Sequence, residues 1–182
     1  MRLIALIVMC LLWAVPVRAE TAPMVPEPML KRIKALPDRF LDLAATLIHG
    51  FGTAGRIDAA GVERAIALDR AGARASAQRR LLAADLDGNG AVAPAELSVA
   101  AGALGARARG RLITTHARAD ADGDGTVAPA ELAVHAGAEA MRLVPEPEAA
   151  YMRALLACDQ DGDGLVTLVE VRRSLAALDQ AA

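Results

Sequence analysis

The chain has 182 residues, enough for one compact domain or two small lobes, and its formal charge of −2 gives no reason to expect a nucleic-acid partner. Apolar residues make up 54% but aromatics only 2%, which excludes a core built on large rings and leaves Leu, Val, Ile and Ala to fill it. Burial contributes about 25 cal/mol per Å² of apolar surface, so small side chains give little each and something besides the core has to support the fold.

Residues 1 to 19 read as a signal peptide: Met1-Arg2, an apolar run from Leu3 to Val15, then Pro16 and the small-residue site Val17-Arg18-Ala19. The run is shorter than the roughly 18 to 20 residues a spanning helix needs, so the expectation is cleavage after Ala19, a periplasmic or secreted chain, and no stable membrane span. Cys10 would leave with the signal. Cys158 is then the only thiol, so no intramolecular disulfide can form. Its place just before an acidic loop, at the end of a helix, predicts a buried and inert side chain.

Residues 20 to 37 hold Pro23, Pro26, Pro28 and Pro37 and read as a flexible leader with one helical turn around Met29 to Leu36. Beyond it, apolar residues recur at helical spacing in Leu43, Leu47 and Ile48, in Leu81 and Leu82, in Leu112 and Ile113, and in Leu155 and Leu156. These predict helices flanking a series of loops.

The loops repeat. Asp85-Leu86-Asp87-Gly88-Asn89-Gly90-Ala91-Val92-Ala93-Pro94-Ala95-Glu96 is echoed 35 residues later from Asp120 to Glu131, and again after a further 39 from Asp159 to Glu170. All three satisfy D-x-(D/N)-x-(D/N)-G-x5-E. Stepping back 35 residues from Asp85 lands on Gly50, and Gly50 to Gly61 keeps Gly55, Ile57 and Val62 in the register of Gly90, Val92 and Leu97. Gly50, Gly52, Ala54 and Gly61 stand where the ligands would be, so this segment reads as a vestigial copy. Val144-Pro145-Glu146-Pro147 breaks the chain before the last copy and lengthens that repeat.

The intact loops present hard oxygen donors in the order a calcium ion requires, at positions one, three, five, seven and twelve. Asp85, Asp120 and Asp159 open them, followed by Asp87, Asp122 and Asp161, then Asn89, Asp124 and Asp163. Gly90, Gly125 and Gly164 permit the positive φ that folds the loop around an ion. The backbone carbonyls of Ala91, Thr126 and Leu165 take position seven, and Glu96, Glu131 and Glu170 close the set as bidentate ligands that favour Ca2+ over octahedral Mg2+. At position nine Ala93 and Ala128 cannot hold a water and Thr167 can. Unequal strength is therefore expected, with the Asp159 loop tightest and the Asp85 loop further weakened by Asn89.

This pattern resembles the EF-hand superfamily, specifically calmodulin-like four-hand proteins and the exported EF-hand proteins of bacteria, over about residues 40 to 180. The resemblance implies an all-α fold of helix–loop–helix pairs with very short β contacts between paired loops. Pairing in chain order puts the vestigial hand and the Asp85 hand together over 38 to 104, and the Asp120 and Asp159 hands together over 105 to 182. The expected contacts are Ile57 with Val92, and Val127 with Val166.

Unlike calmodulin-like sensors, the helices lack the Phe and Met that line a target groove, and Met141 and Met152 are expected in the core. Outside the loops the charge balance reverses. Losing Arg2 and Arg18 takes the basic count from 20 to 18 against 22 acidic residues, of which eleven are loop ligands. Arg70, Arg74, Arg79, Arg80, Arg107, Arg109 and Arg111 cluster, fitting either an anionic partner or a solvated face. His49, His116 and His135 have no metal or triad spacing and no catalytic motif is present. The expected function is calcium binding as a buffer or calcium-stabilised module, with a calcium-responsive adaptor for a protein or membrane partner as the alternative, and no enzymatic activity.

Overall fold

Proline stands at the first or second position of five of the eight α-helices among the described residues, because its fixed φ suits the first turn and its missing N–H would be unpaired there anyway. The computed structural model describes residues 25–180; the signal peptide, Cys10 and the first part of the leader lie outside them. In chain order the elements are α1 (Glu27–Ala35), α2 (Pro37–Phe51), β1 (Arg56–Ile57), α3 (Ala59–Leu82), α4 (Pro94–Gly102), α5 (Ala106–Ala119), α6 (Pro129–Leu143), α7 (Glu146–Arg153), a 3₁₀ turn (Ala154–Cys158), β2 (Val166–Thr167) and α8 (Leu168–Gln180). The fold is all-α with one two-stranded sheet of minimal length. No helix among the described residues is long and apolar enough to cross a membrane.

The leader is more ordered than its prolines suggest. α1 runs for nine residues, Ile33 is buried, and the Arg32 guanidinium lies 3.9 Å from the centre of the Tyr151 ring while pairing with Glu148 at 2.9 Å. An isolated helix of that length is unstable in water; Ile33 buried in the main cluster, contacts to α2 and α8, and Arg32 over Tyr151 hold it.

Two apolar clusters form. The larger gathers Phe40, Leu47 and Ile48 of α2, Ile57 of β1, Val62 and Ile66 of α3, Tyr151 and Met152 of α7, and Val166 and Val171 from the last repeat. The smaller holds Leu81, Ala84, Val92, Ala119, Val127 and Leu132. α3 begins in the first cluster and ends in the second, and α6 starts in the second and leads back to α7 in the first. These two helices, with small buried residues Ala77, Ala136 and Ala140, form the principal helix contact of the molecule.

Strand pairing departs from the order expected. β1 pairs antiparallel with β2, Ile57 opposite Val166 and Arg56 opposite Thr167, while Val92 and Val127 exchange two backbone hydrogen bonds of 3.0 Å. The expected contacts of Ile57 with Val92 and of Val127 with Val166 are thus both wrong. The physical reason is α3: 24 uninterrupted helical residues, capped by Asp58 Oδ1 accepting from Gly61 N at 2.7 Å, extend about 36 Å at 1.5 Å per residue. That rod holds the first and second loops apart, whereas the break between α4 and α5 lets the second and third meet. The first copy therefore meets the last.

Candidate metal centres

Each acidic loop is folded by its own side chains. In the Asp85 loop, Asp85 Oδ1 accepts from Gly88 N (2.8 Å) and Oδ2 from Gly90 N (2.9 Å), Asp87 Oδ1 accepts from Asn89 N (3.0 Å), and Asn89 Oδ1 from Ala91 N (2.7 Å). Asp120 repeats this toward Gly123 and Gly125, Asp122 toward Asp124 N, and Asp124 toward Thr126 N. Asp159, Asp161 and Asp163 do so toward Gly162, Gly164, Asp163 N and Leu165 N. Such Asx turns explain why short Asp and Asn occupy these positions.

The glycines at position six have φ of 83°, 86° and 79°, as the turn requires. Sequence reasoning missed a second set. Gly88, Gly123 and Gly162, at position four, also have positive φ, of 74°, 75° and 74°. Their signal was glycine at the same place in all three copies.

Glutamate closes each loop from the first turn of the following helix. Glu96 Oε1 accepts from Leu86 N (2.8 Å) and Oε2 from Ala93 N (2.9 Å); Glu131 does the same with Ala121 (2.7 Å) and Ala128 (2.9 Å). Ala93 and Ala128 have no oxygen to return the bond, so only half of a capping box forms. At the last loop the box is complete: Thr167 N donates to Glu170 Oε2 at 2.8 Å and Thr167 Oγ1 accepts from Glu170 N at 3.2 Å, while Oγ1 also donates to Oε2 at 2.7 Å. Thr167 is thus engaged in capping α8.

These bonds set the charge states. Backbone donation from Ala93 and then Leu86 holds the Glu96 carboxyl below its ordinary range, and Ala128 and Ala121 do so for Glu131. Burial pushes Glu170 the other way, but the hydrogen bonds from the Thr167 side chain and the loop backbone outweigh it and leave this carboxyl lowered as well. All three are ready as anions at neutral pH.

The result is three convergent carboxylate triads. Oxygens of Asp85, Asp87 and Glu96 lie within 4.8 Å of one another, as do those of Asp120, Asp122 and Glu131, and those of Asp159, Asp161 and Glu170. Asp124 and Asp163 stand outside these triads, although both lie in the loops as expected, and Asn89 adds an amide. Ala91, Thr126 and Leu165 sit directly before the paired residues Val92, Val127 and Val166. The donors are all oxygen, which suits a hard divalent cation.

The Gly50 to Gly61 segment has a different shape. α2 carries through Gly50 and Phe51, and Thr53 and Arg56 close a tight turn in which Ala54 and Gly55 both take positive φ, 51° and 75°. That is the type I′ geometry of a two-residue hairpin, and nothing in it encircles an ion. Its contribution lies across the sheet, where Arg56 Nη1 stands 3.6 Å from Asp163 Oδ2.

The two inner loops interlock. A Cβ on Gly125 would meet Pro94 Cγ at 3.3 Å and one on Gly90 would meet Pro129 Cγ at 3.7 Å, so each proline covers the other loop's glycine. His116 Nε2 lies 3.0 Å from the Val92 carbonyl oxygen and is buried beside the paired strands. His135 is also buried, and burial depresses its basicity; His49 is exposed. Cys158 ends the 3₁₀ turn and is buried as expected, and burial raises its thiol. Met152 is in the core, but Met141 is exposed, contrary to expectation, because it lies on the outer side of α6.

Comparison with protein-family models, with curated proteins and with solved structures found no match to this chain.

Proposed function

We propose that this chain binds calcium ions at three EF-hand loops and works as a calcium buffer or calcium-stabilised module in an exported compartment. The carrying observation is the threefold recurrence of one oxygen-only triad, Asp–Asp–Glu, each within 4.8 Å and each folded by the same side-chain-to-backbone bonds. Asp85, Asp87, Asn89 and Glu96 would hold one ion, Asp120, Asp122, Asp124 and Glu131 the second, and Asp159, Asp161, Asp163 and Glu170 the third, with the carbonyls of Ala91, Thr126 and Leu165. Export rests on residues 1 to 19.

On this reading the hands form two pairs in nested order, first with fourth and second with third. A bound ion neutralises crowded carboxylates and supplies folding free energy that the small inner core does not. Calorimetric titration of the chain from Glu20 onward is the test. Three calcium sites are expected, with dissociation constants on the order of 10⁻⁴ to 10⁻³ M as in exported modules and weaker response to magnesium. Fewer than two sites would overturn the reading.

A further inference from the structure

An open groove of about 1060 Å³ lies between the end of α3, α4 and α5, with α6 at one end. That is at the upper end of small-molecule sites, which run from about 300 to 1,000 Å³. Its two ends differ in chemistry. Along α4 and the turns beside it stand Leu86, Val99 and Leu104, which are 58%, 63% and 36% exposed, with the half-buried Leu112 of α5 beneath them. At α6 every lining residue is polar: His135, Glu139 and Arg142.

His135 makes that polar end a site. It is only 8% exposed and lines the groove, yet its ring makes no hydrogen bond among the described residues. No nitrogen or oxygen of a buried side chain there is both sealed from solvent and without a partner, so the imidazole nitrogens open onto the groove. A buried polar group left unpaired costs free energy until a ligand supplies the partner. Burial depresses the basicity of His135, Glu139 opposes that, and the Arg118 and Arg80 guanidiniums add to it. The neutral ring therefore offers one N–H donor.

The charge around His135 is unbalanced. Five arginines line the groove against one carboxylate, Glu139, among the described residues. Arg142 already engages that carboxylate, donating to it from Nη2 at 2.7 Å and from Nε at 3.2 Å. Arg118 stands 4.0 Å from Glu139, and Arg80 has no salt-bridge partner among the described residues. The uncompensated cations beside the open imidazole favour an anion.

The separation of a cationic end from an apolar one selects the occupant. We propose that this groove takes up a single-chain anionic amphiphile, one molecule at a time, its oxyanion head held by His135, Arg80 and Arg118 and its alkyl chain lying along Leu86, Val99, Leu104 and Leu112. Carboxylate, sulfonate and phosphate heads share the geometry that guanidinium binds. The amphiphile enters as a free molecule: a headgroup fixed in a bilayer plane does not reach a side chain that is 8% exposed at the end of a groove. The inference uses the groove alone and does not rest on calcium binding.

The test titrates the chain from Glu20 onward with octanesulfonate below its micellar range, followed by calorimetry and by the NMR signals of the His135 ring, in calcium and again in chelator. Octyltrimethylammonium carries the same chain on a cationic head, methanesulfonate carries the head alone, and phosphatidylglycerol vesicles present anionic heads in a bilayer. Octanesulfonate should bind at least about tenfold tighter than either small comparator in one or both conditions and shift the His135 signals, as expected for a charge-assisted hydrogen bond together with a buried chain. Arg80→Glu should abolish the preference for the anionic head, and Val99→Asp should weaken binding about tenfold. Both positions are exposed, so circular dichroism should stay unchanged. Equal binding of the two octyl compounds, methanesulfonate binding as tightly as octanesulfonate, binding of none, binding to vesicles alone, unmoved His135 signals, or an unaffected R80E variant would each overturn the proposal.

Discussion

Arg56 and Asp163 face one another across the β1–β2 pair at 3.6 Å, so the turn within the Gly50 to Gly61 segment sets a cation beside the acidic Asp159 loop. On the proposed reading the guanidinium would offset part of the Asp163 charge and oppose an entering dication.

Replacing it therefore strengthens the last loop. Arg56→Gln should raise calcium affinity at the Asp159 loop by about three- to tenfold at low ionic strength, the scale of one partly exposed charge near a dication. High salt should erase the difference. Site-resolved calorimetry or NMR titration would show it, and an equal change at the Asp120 loop would contradict the assignment.

Metal removal should act unevenly. The inner pair has a small cluster, Leu81, Ala84, Val92, Ala119, Val127 and Leu132, whereas the outer pair has a core several times larger with Phe40 and Tyr151 edge to face at 5.4 Å. In chelator, amide exchange at Val92 and Val127 should accelerate before exchange at Ile57 and Val166. Simultaneous loss of all four protections would show that the two cores are one unit.

The nested pairing can be measured without a structure. A double-mutant cycle on Ile57→Ala and Val166→Ala should give a coupling of about 0.5 kcal/mol or more, and the cycle on Ile57→Ala and Val92→Ala should be additive within about 0.5 kcal/mol. Urea unfolding in saturating calcium is the readout.

Acid should weaken the metal-free fold. Hydrogen bonds from Arg153 lower Glu63, those from Arg70 and Arg153 lower Glu146, and that from Arg142 lowers Glu139, while burial lowers His135. In every case the unfolded chain binds more protons than the folded one, so stability falls as pH drops through the ordinary His and then the ordinary carboxylate range. Melting in chelator between about pH 7 and pH 3 should trace that fall, and E63Q with E146Q should flatten its lower part.

Gly52→Ala should destabilise strongly. A Cβ there would lie 2.2 Å from the Arg56 carbonyl oxygen and 2.5 Å from that of Ile48. Backbone on both sides cannot yield cheaply, so a loss of about 2 kcal/mol or more is expected in urea unfolding. Gly72→Ala, with open space around it, should be neutral or stabilising.

The loops, their position-six glycines and the closing glutamates were legible because each follows from local chemistry: a short carboxylate folding its own turn, a glycine at positive φ, a glutamate in a first helical turn. Pairing was not legible from the repeat, since Val92 and Val166 present the same kind of side chain to Ile57. The usable signal was negative. No proline occurs between Asp38 and Ala93, so nothing ends α3 early, whereas Leu104-Gly105 and Val144-Pro145 do interrupt the later linkers. The helical leader was hidden for a related reason, because Ile33 and Arg32 are held by residues far along the chain, Tyr151 among them.

Pairing first with last also sets a clock. Ile57 leaves the ribosome 109 residues ahead of Val166, the residue it will sit against. At roughly 5 to 20 residues per second, that is a wait of about 5 to 20 seconds during which Phe40, Leu47 and Ile57 have no lid. The inner loops, only 35 residues apart at Val92 and Val127, meet within a few seconds of one another. The partners of the inner contact are therefore made close together in time, and those of the outer contact far apart.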